Sequence, residues 1–377
     1  MKKPGEHLYP DDEVALPEHN GRGALSNASS RFDDEKKIRT TDGWDIDDEL
    51  PPLRTTLTKD ATRTILARNT SPDVPFDRSI NPYRGCEHGC IYCFARPTHA
   101  YLGLSPGLDF ETKILFKPEA AKLLAAELAS PKYRCDVVAM GTNTDPYQPV
   151  ERDLKITRSI LQVLSEFNNP VGIVTKNHLI TRDIDILADM ARRNLAEVFL
   201  SVTTLDKDLA RTMEPRASTP RRRLDAIREL SEAGVPVGVM TAPMIPGLND
   251  HEMESILEAA AEAGATRAGF TVLRLPLEIE ELFEEWLREH RPDRAERVLS
   301  LIRQIRGGAL YQSGFGVRMK GEGPIAELLS ARFGAAVKRL GLNRIRYRLD
   351  TLRFSVPEQA RTALTDAKRD ARQMKLL

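Results

Sequence analysis

Short apolar runs alternate with amphipathic helical patterns along most of the chain after residue 75. The apolar runs are rich in β-branched residues, which favours strands, and the segments between them carry apolar residues at helical spacing. The predicted strands are 79–83, 136–141, 171–176, 196–204, 235–245 and 267–275. The predicted helices are 117–130, 156–167, 182–193, 220–234, 251–264 and 278–290. Because the strands are apolar on both faces, they predict a parallel sheet with helices packed outside it.

The number of strand–helix units limits the fold class. Six units are fewer than the eight of a closed TIM barrel, so we predict an α/β fold of the partial (β/α)6 TIM-like type. In such folds the functional groups gather at the C-terminal ends of the strands. We divide the chain into an N-terminal extension (1–75), the barrel (76–290) and a C-terminal helical region (291–377), with helical patterns at 294–308 and 325–341.

The N-terminal extension differs from the barrel in composition. Residues 1–75 are polar and rich in glycine, proline and charge, with no sustained apolar period. Composition alone favours a flexible leader, and our prediction for residues 1–75 is an extended segment that packs on the core or leads into it. Phe32, Trp44 and Leu50 are the residues that would anchor it if it packed on the barrel instead.

Charge and apolar content narrow the class of protein. Apolar residues make up 41% and charged residues 29%, which is typical of a soluble globular chain. Lys plus Arg total 55 and Asp plus Glu also 55, so no overall charge attracts nucleic acid or membrane, although a nucleic-acid substrate is not excluded. No apolar run approaches the roughly 20 residues of a membrane span, and the first residues lack a secretory pattern. We therefore predict a cytoplasmic protein without a membrane partner.

Three of the four cysteines are clustered in the loop after the first predicted strand. Cys86, Cys90 and Cys93 have the spacing C-x3-C-x2-C. Three thiolates favour zinc or an iron–sulfur cluster. A structural zinc site normally needs a fourth ligand. Cys135 is alone, so His88 or His99 would have to supply that ligand. A redox pair of Cys90 and Cys93 leaves Cys86 unexplained. A four-iron cluster with three cysteine ligands leaves one iron open for a small molecule. Spacing alone leaves all three hypotheses open.

The aromatic residue before the last cysteine extends the pattern. Tyr92 completes C-x3-C-x-aromatic-C in a loop after the first of six strands, and this arrangement resembles the radical S-adenosylmethionine (SAM) superfamily over about residues 75–275. Within it, the chain resembles the bacterial branch related to spore photoproduct lyase. The stretches that carry this resemblance are SPDVPFDRSINPYRGCEHGCIYCFARPTH, GTNTDPYQPVE, IVTKN, SVTTLD, MEPRAS, APMIPGLND and, in the extension, GRGALSN and RF.

The resemblance implies a chemistry. Cys86, Cys90 and Cys93 would bind a [4Fe-4S] cluster whose open iron chelates the amino and carboxylate groups of SAM. One electron, from a reductant such as flavodoxin or ferredoxin, would cleave SAM to methionine and a 5′-deoxyadenosyl radical that abstracts hydrogen from a substrate. The substrate is not identified, and nucleic acid is a hypothesis that rests on the resemblance. The alternative is a non-catalytic zinc- or cluster-binding module with a structural or nucleic-acid-binding role.

The resemblance also implies where SAM binds. Tyr92 would lie near the adenine. The family often binds the SAM ammonium with a Gly-Gly-Glu motif after the second strand. This chain lacks that motif, so we assign ammonium binding to residues 141–145, which occupy the same position. The candidate SAM-binding residues, with those discussed next, are Tyr92, Gly141, Thr142, Asn143, Thr144, Asp145, Lys176, Ser201, Thr203 and Arg216.

The later members of this set follow from their positions at strand ends. Lys176 ends the third strand and would meet a carboxylate. Ser201 and Thr203 alternate along the fourth strand, so they share one face and suit a carboxylate or a ribose. Arg216 and Arg223 carry forked guanidinium groups that bind carboxylates. Each also has a purely structural interpretation, as a turn residue, a solvated strand end, a packing residue or a surface charge.

Cys135 is the remaining cysteine. It immediately precedes the second strand, near where spore photoproduct lyase has a cysteine that donates a hydrogen atom, although the local sequences differ. Its position is at the N-terminal end of the strand, away from the expected catalytic face. We therefore predict a buried structural thiol, with hydrogen donation as the alternative, and we identify no other candidate catalytic residue.

Overall fold

The computed structural model describes residues 21–33, 53–345 and 348–360. The strands are β1 Thr56–Lys59, β2 Leu66–Arg68, β3 Arg78–Ile80, β4 Tyr83–Arg84, β5 Lys113–Phe116, β6 Val138–Met140, β7 Val171–Thr175, β8 Ala196–Ser201, β9 Val237–Met244 and β10 Arg267–Val272. The α-helices are α1 Leu108–Thr112, α2 Ala120–Leu128, α3 Glu151–Leu154, α4 Ile156–Glu166, α5 Ile184–Arg192, α6 Lys207–Met213, α7 Pro220–Glu232, α8 Met253–Glu262, α9 Ile279–His290, α10 Ala295–Gln304, α11 Val317–Lys320 and α12 Gly323–Leu340. Short 3-10 helices cover Arg96–Leu102, His178–Asp183 and Asp250–Glu252.

The large sheet confirms the predicted fold class. Its strand order is β10-β9-β8-β7-β6-β3-β2, and the six strands from β3 to β10 in this row are parallel and adjacent in chain order. Helices lie between successive strands, as the alternating pattern predicts. Among the described residues the last parallel strand, β10, does not pair with the first, β3. The result is an open, partial (β/α)6 arrangement, in agreement with the count of six units.

The core has two parts. The main part joins fully buried side chains of the parallel strands, such as Val138, Ile173 and Val198, to those of the outer helices, such as Leu161 and Leu187. The second part packs residues 90–92 of the cysteine motif against α6, α9 and α10. The cysteine motif is therefore held by its own apolar core, built largely from helices that follow the last strand.

The small strands were missed by the sequence analysis. A second sheet has the order β1-β5-β4, and β2 adds an antiparallel edge to the large sheet. These strands are two to four residues long, and β1 is exposed along its whole length, so no apolar period marks them. The predicted strand 79–83 is also divided, because β3 belongs to the large sheet whereas β4 belongs to the small one. Pro82, which lacks a backbone N–H, lies between them.

The flexible leader that composition alone favours is wrong for residues 21–33, which we call the leader segment. Arg22 is only 8% exposed and Ala24 is fully buried. Phe32, by contrast, is 55% exposed, so it is not the anchor. Trp44 and Leu50 lie outside the described residues. The anchor is polar and glycine-dependent, which is why apolar patterning did not indicate it.

The C-terminal region supplies the two predicted helices, as α10 and α12, and a connection across the open edge of the sheet. Arg306 donates to the carbonyl oxygen of Leu273 (2.5 Å), just after β10, and to that of Val317 (3.0 Å). Arg318 forms an ion pair with Asp73, which precedes β3. Residues 306–318 therefore bridge the two edges that the strands leave unpaired. The domain boundaries at 75 and 290 remain predictions.

Among the described residues, no helix is both long and apolar enough to cross a bilayer.

Candidate active site

The cysteine loop, residues 85–95, lies at the C-terminal ends of the parallel strands. The loop follows β4 and contacts the segments that come after β6 and β7. His88 Nδ1 lies 3.3 Å from Asp145 Oδ2, in the segment after β6. His88 Nε2 lies 3.1 Å from the side-chain amide nitrogen of Asn177, in the segment after β7. Ile91 donates its N–H to the carbonyl oxygen of Met213 (3.1 Å) in the segment after β8. The structure thus places the loop at the edge where the sequence predicts the site.

The three thiols of this loop share a buried environment. Cys86 and Cys90 are buried and Cys93 is half-buried. Burial raises the pKa of each thiol, because a thiolate loses its hydration in the interior. The carboxyl group of Asp145 raises the pKa of Cys86 further, and the other two thiols add to this effect. All four cysteines are free, and among the described residues no three His, Cys, Asp or Glu side chains converge on a single-ion position.

Arg96 fixes the path of the cysteine loop. The side chain is fully buried, and all five of its N–H groups have acceptors close by. Nε donates to the carbonyl oxygen of Cys90 (2.9 Å), Nη1 to those of residues 106–107 (3.1 and 3.0 Å), and Nη2 to Gly89 (3.2 Å) and the Glu111 carboxylate (2.5 Å). One side chain therefore ties the loop to the start of α1.

Glu111 extends this connection to the leader segment. Its carboxylate accepts the backbone N–H groups of Gly23 (3.0 Å) and Ala24 (2.9 Å), and its carbonyl oxygen accepts Nη1 of Arg22 (2.9 Å). The leader segment approaches so closely that a Cβ atom on Gly23 would overlap the carbonyl oxygen of Gly89. GRGALSN is one of the stretches that resemble the spore photoproduct lyase branch. The sequence did not indicate its contact with Glu111 and Gly89, because the partners are about 65–90 residues apart.

The loop after β6 holds the cysteine loop from the other side. Thr144 Oγ1 donates to the carbonyl oxygen of Gly85 (2.7 Å), which also accepts from Gln148 Nε2 (3.2 Å). Thr142 Oγ1 donates to Asn81 Oδ1 (3.1 Å). Two of the side chains predicted to contact SAM therefore support the segment that carries the thiols.

The Asp145 carboxylate also forms hydrogen bonds within the protein. Its carboxylate accepts Thr175 Oγ1 (2.7 Å) and the N–H of Lys176 (2.8 Å), and it faces His88. Burial alone would raise its pKa, but His88 and these hydrogen bonds outweigh burial and lower the pKa of Asp145 to about 2. The carboxylate is therefore ionised and fixes the strand ends of β6 and β7 relative to the cysteine loop.

The other two residues of 141–145, Gly141 and Asn143, form no such side-chain hydrogen bonds within the described part of the chain. Gly141 has φ of +92°, and a Cβ there would overlap the carbonyl oxygen of Val174, so the backbone of β6 approaches β7 closely. Asn143 is exposed, and its N–H donates to Asn81 Oδ1 (2.9 Å). The Asn143 side chain and the backbone at 141–143 are what this loop leaves for a ligand.

A buried acid that the sequence analysis missed lies behind Tyr92. Glu214 accepts hydrogen bonds from the Tyr92 hydroxyl and from Thr203 Oγ1, and it pairs with Arg223. Burial raises the pKa of Glu214, and Arg223 opposes that effect. Arg223 also donates to the carbonyl oxygen of Ser201 (3.0 Å). Tyr92 and Thr203 thus share Glu214 as an acceptor, and Arg223, which the sequence offered as a carboxylate clamp, binds a carboxylate of the chain itself. Contact of Tyr92, Ser201 and Thr203 with SAM stays a prediction.

Lys176 acts electrostatically on the thiols, and Arg216 contacts the cysteine loop through its backbone N–H, which donates to the carbonyl oxygen of His88 (3.2 Å). Lys176 is half-buried with its Nζ 5.6 Å from the centre of the Tyr92 ring; burial lowers its pKa, and the Cys90 thiol opposes that effect. Arg216 Nη2 lies 3.1 Å from Glu87 Oε1, and its side chain is 36% exposed. The second carboxylate oxygen of Glu87 is buried without a partner among the described residues. Both cations are placed where a carboxylate of a ligand would find a counter-charge.

Cys135 lies at the other end of the sheet. It precedes β6, and its Sγ is 3.5 Å from the Asn169 side-chain oxygen. The thiol is half-buried rather than buried as predicted, and burial raises its pKa to about 11. Its role stays a prediction.

Comparisons with known proteins identify the family. A family model for the radical SAM superfamily matches residues 80–260. The uncharacterized protein Rv2578c of Mycobacterium tuberculosis is 39% identical over 235 residues, which cover 61% of this chain and 68% of that protein. The chain belongs to the radical SAM superfamily.

Two further likenesses extend the comparison. The uncharacterized protein MJ0683 of Methanocaldococcus jannaschii is 28% identical over 173 residues, or 46% of this chain and 62% of that protein. The structure of spore photoproduct lyase complexed with dinucleoside spore photoproduct covers 76% of this chain and 80% of its own, with a TM-score of 0.55 and 16% identity. At that identity the likeness shows the shared fold.

Membership of the radical SAM superfamily implies a [4Fe-4S] cluster and SAM, and the donor set fits this pair. Cys86 and Cys90 are buried, Cys93 is half-buried, and the pKa of each thiol is raised. Such thiols become stable thiolates beside a strong positive centre, which cluster iron would provide. Lys176 interacts electrostatically with Cys90 and Cys93, and its Nζ lies over the Tyr92 ring.

Proposed function

We propose that this chain is a radical SAM enzyme whose Cys86, Cys90 and Cys93 hold a [4Fe-4S] cluster. When bound there, the cluster and SAM would supply hydrogen-abstraction chemistry: one added electron would cleave SAM to methionine and a 5′-deoxyadenosyl radical able to take a hydrogen atom from a substrate. The observation that carries the proposal is that three thiols, two buried and one half-buried, lie in one loop at the C-terminal strand ends. A reductant of the flavodoxin or ferredoxin type would deliver the electron.

The chain's own residues provide position and charge. Arg96 and Glu111 fix the loop backbone, so the three thiols keep their spacing without a bound partner. Lys176 offers a positive charge beside Cys90, and the Tyr92–Glu214 hydrogen bond orients the aromatic ring. The remaining candidate SAM contacts are the backbone at 141–143, Ser201 and Thr203, and Arg216. Ser201 and Thr203 are buried, which excludes water from that side.

The test is SAM cleavage by the loaded protein. After anaerobic reconstitution and addition of dithionite, the wild-type chain should convert SAM to 5′-deoxyadenosine and methionine, measured by liquid chromatography with mass spectrometry. Cys90→Ala removes one cluster ligand and should abolish the product. Cys135→Ala, at the other end of the sheet, should retain it and serves as the matched control. A wild-type protein with full iron and sulfide content that leaves SAM intact would refute the proposal.

The rival hypothesis is a zinc-binding module without catalysis. It predicts one zinc, no iron and no acid-labile sulfide after anaerobic purification, whereas the radical SAM proposal predicts iron and sulfide in equal amounts. Metal analysis of the same sample that is tested for SAM cleavage decides between them.

Nucleic acid remains our proposal for the substrate class to test first. It is supported by exposed aromatic rings that contact arginines: Arg31 lies 4.5 Å from the Phe32 ring and 4.8 Å from that of Tyr101, and Arg318 lies 4.7 Å from Phe315. Exposed aromatic rings suit base stacking. Single-stranded DNA and RNA should bind with an affinity that falls as salt increases, and Tyr101→Ala should weaken binding. Undetectable or salt-independent binding would exclude this class.

A further inference from the structure

Two arginines near the cysteine loop have no carboxylate partner among the described residues. Arg274 lies two residues beyond the end of β10, and its guanidinium carbon is 5.1 Å from the centre of the Phe94 ring. Phe94 directly follows Cys93. Because β10 ends at the same edge as the other parallel strands, Arg274 lies at the mouth of the barrel, next to the proposed cluster.

The hydrogen bonds of Arg274 leave most of its donors free. Nη1 donates to the sulfur of Met319 (3.5 Å), a weak acceptor, and Nε is buried with no partner in the described part of the chain. Arg306 interacts electrostatically with Arg274. In the described ranges its hydrogen bonds go to the carbonyl oxygens of Val317, Val272 and Leu273, and its own Nε is also buried without a partner there.

The two guanidinium groups repel each other. Burial lowers the pKa of Arg306 to about 10, and the charge of Arg274 contributes to the lowering. The carboxylate of Asp73, which also interacts with Arg274, is already bound by Arg318 and by the N–H of Gly316 (2.7 Å). Two partly desolvated positive charges with unused donors are stabilised when an anion binds between or beside them.

Phe94 gives this position an aromatic wall. The ring is 46% exposed although it is adjacent to a buried loop, and Arg274 covers one side of it. A cation on a ring face gains from the ring quadrupole and remains free to form hydrogen bonds in its own plane. The guanidinium fork is thus held in position by Phe94, with its edge available to a planar or tetrahedral anion.

We propose that Arg274, supported by Arg306 and oriented by Phe94, binds an anionic group of the substrate, a phosphate or a carboxylate, beside the cluster. The assignment of this anion to the substrate rests on the proposed function, whereas anion binding itself does not. The site would hold the substrate by its charged group at the barrel mouth. Arg274 follows β10, whereas Lys176 and Arg216, which we assign to SAM, follow β7 and β8, so the substrate anion and SAM have separate cations.

The test is a calorimetric titration of the reconstituted full-length protein at low ionic strength, with inorganic phosphate in one series and acetate in the other. The wild-type protein should bind at least one of them, and the preferred anion indicates a phosphorylated or a carboxylate substrate. Arg274→Gln should weaken binding about tenfold or more, because a charged hydrogen bond is lost. Arg274→Lys keeps the positive charge but lacks the forked guanidinium group, so its affinity for the anion should lie between those of the wild type and Arg274→Gln.

Arg288→Gln is the matched control, because Arg288 is an exposed arginine paired with Glu284 and Glu296 on α9 and α10; its titration should equal that of the wild type. Circular dichroism and iron content confirm that each variant is folded and loaded. Absence of binding by the wild type, or equal binding by wild type and Arg274→Gln, would overturn the inference. Formation of 5′-deoxyadenosine is measured on the same wild-type sample, so the proposed function and the anion site can fail independently.

Discussion

Gly23→Ala should release the leader segment from the cysteine loop and prevent stable cluster binding. The added Cβ would overlap the carbonyl oxygen of Gly89 and lie 2.9 Å from its carbonyl carbon, and both are backbone atoms that no rotamer change can move. Either the leader segment or the cysteine loop must therefore shift. A shift removes the N–H groups of Gly23 and Ala24 from the buried Glu111 carboxylate. Each buried group left unsatisfied costs about 1–3 kcal/mol.

The effect of Gly23→Ala is measured in two ways. Iron and sulfide content after anaerobic reconstitution should fall to a small fraction of the wild-type value, and hydrogen exchange in residues 21–25 and 85–95 should accelerate together. Gly314→Ala is the control: nothing lies within 4 Å of a Cβ there, and Gly314 is not among the residues with positive φ. If Gly23→Ala binds a full cluster and its leader segment stays protected, docking of the leader is not required for the site.

The barrel could be predicted from the sequence because its strands are buried on both faces. Runs such as 171–174 and 198–200 are short and apolar, and alternating with helical patterns they have one simple interpretation, a parallel sheet covered by helices. The chain order of the strands then follows from the short connections. The small sheet could not be predicted in this way, because β1 is fully exposed and β4 has two residues.

The site could be predicted only in part, for a different reason. The spacing of Cys86, Cys90 and Cys93 is local, so it is visible in the sequence. The buried partners Arg96, Glu111 and Glu214 act through contacts between distant segments, and charged residues are usually exposed, so composition indicates nothing about them. Side chains after β6 were assigned to SAM, whereas Thr144 and Asp145 are hydrogen-bonded within the protein. Position at a strand end identifies the neighbourhood of a side chain but not its partner.

Arg96→Met should both destabilise the fold and abolish cluster binding. The substitution keeps the apolar stem but removes every donor, which leaves the Glu111 carboxylate and the carbonyl groups of Gly89 and Cys90 without their buried partner. Removing one member of a buried ion pair typically costs about 3–5 kcal/mol of the free energy of unfolding. Urea denaturation of the variant and the wild type under anaerobic conditions measures this difference.

Arg96→Lys separates positioning from charge. Lysine keeps a positive charge near Glu111 but has three donors on one atom, so it cannot reach the carbonyl groups at 89–90 and 106–107 at the same time. The lysine variant should therefore fold with a smaller loss of stability than Arg96→Met and still bind little iron. The same substitution at Arg84, whose ion pair with Asp60 is 46% exposed on the arginine side, should change neither property. Full cluster content in Arg96→Lys would mean that charge compensation of Glu111 is sufficient. Arg96 would then stabilise the fold without setting the spacing of the thiols.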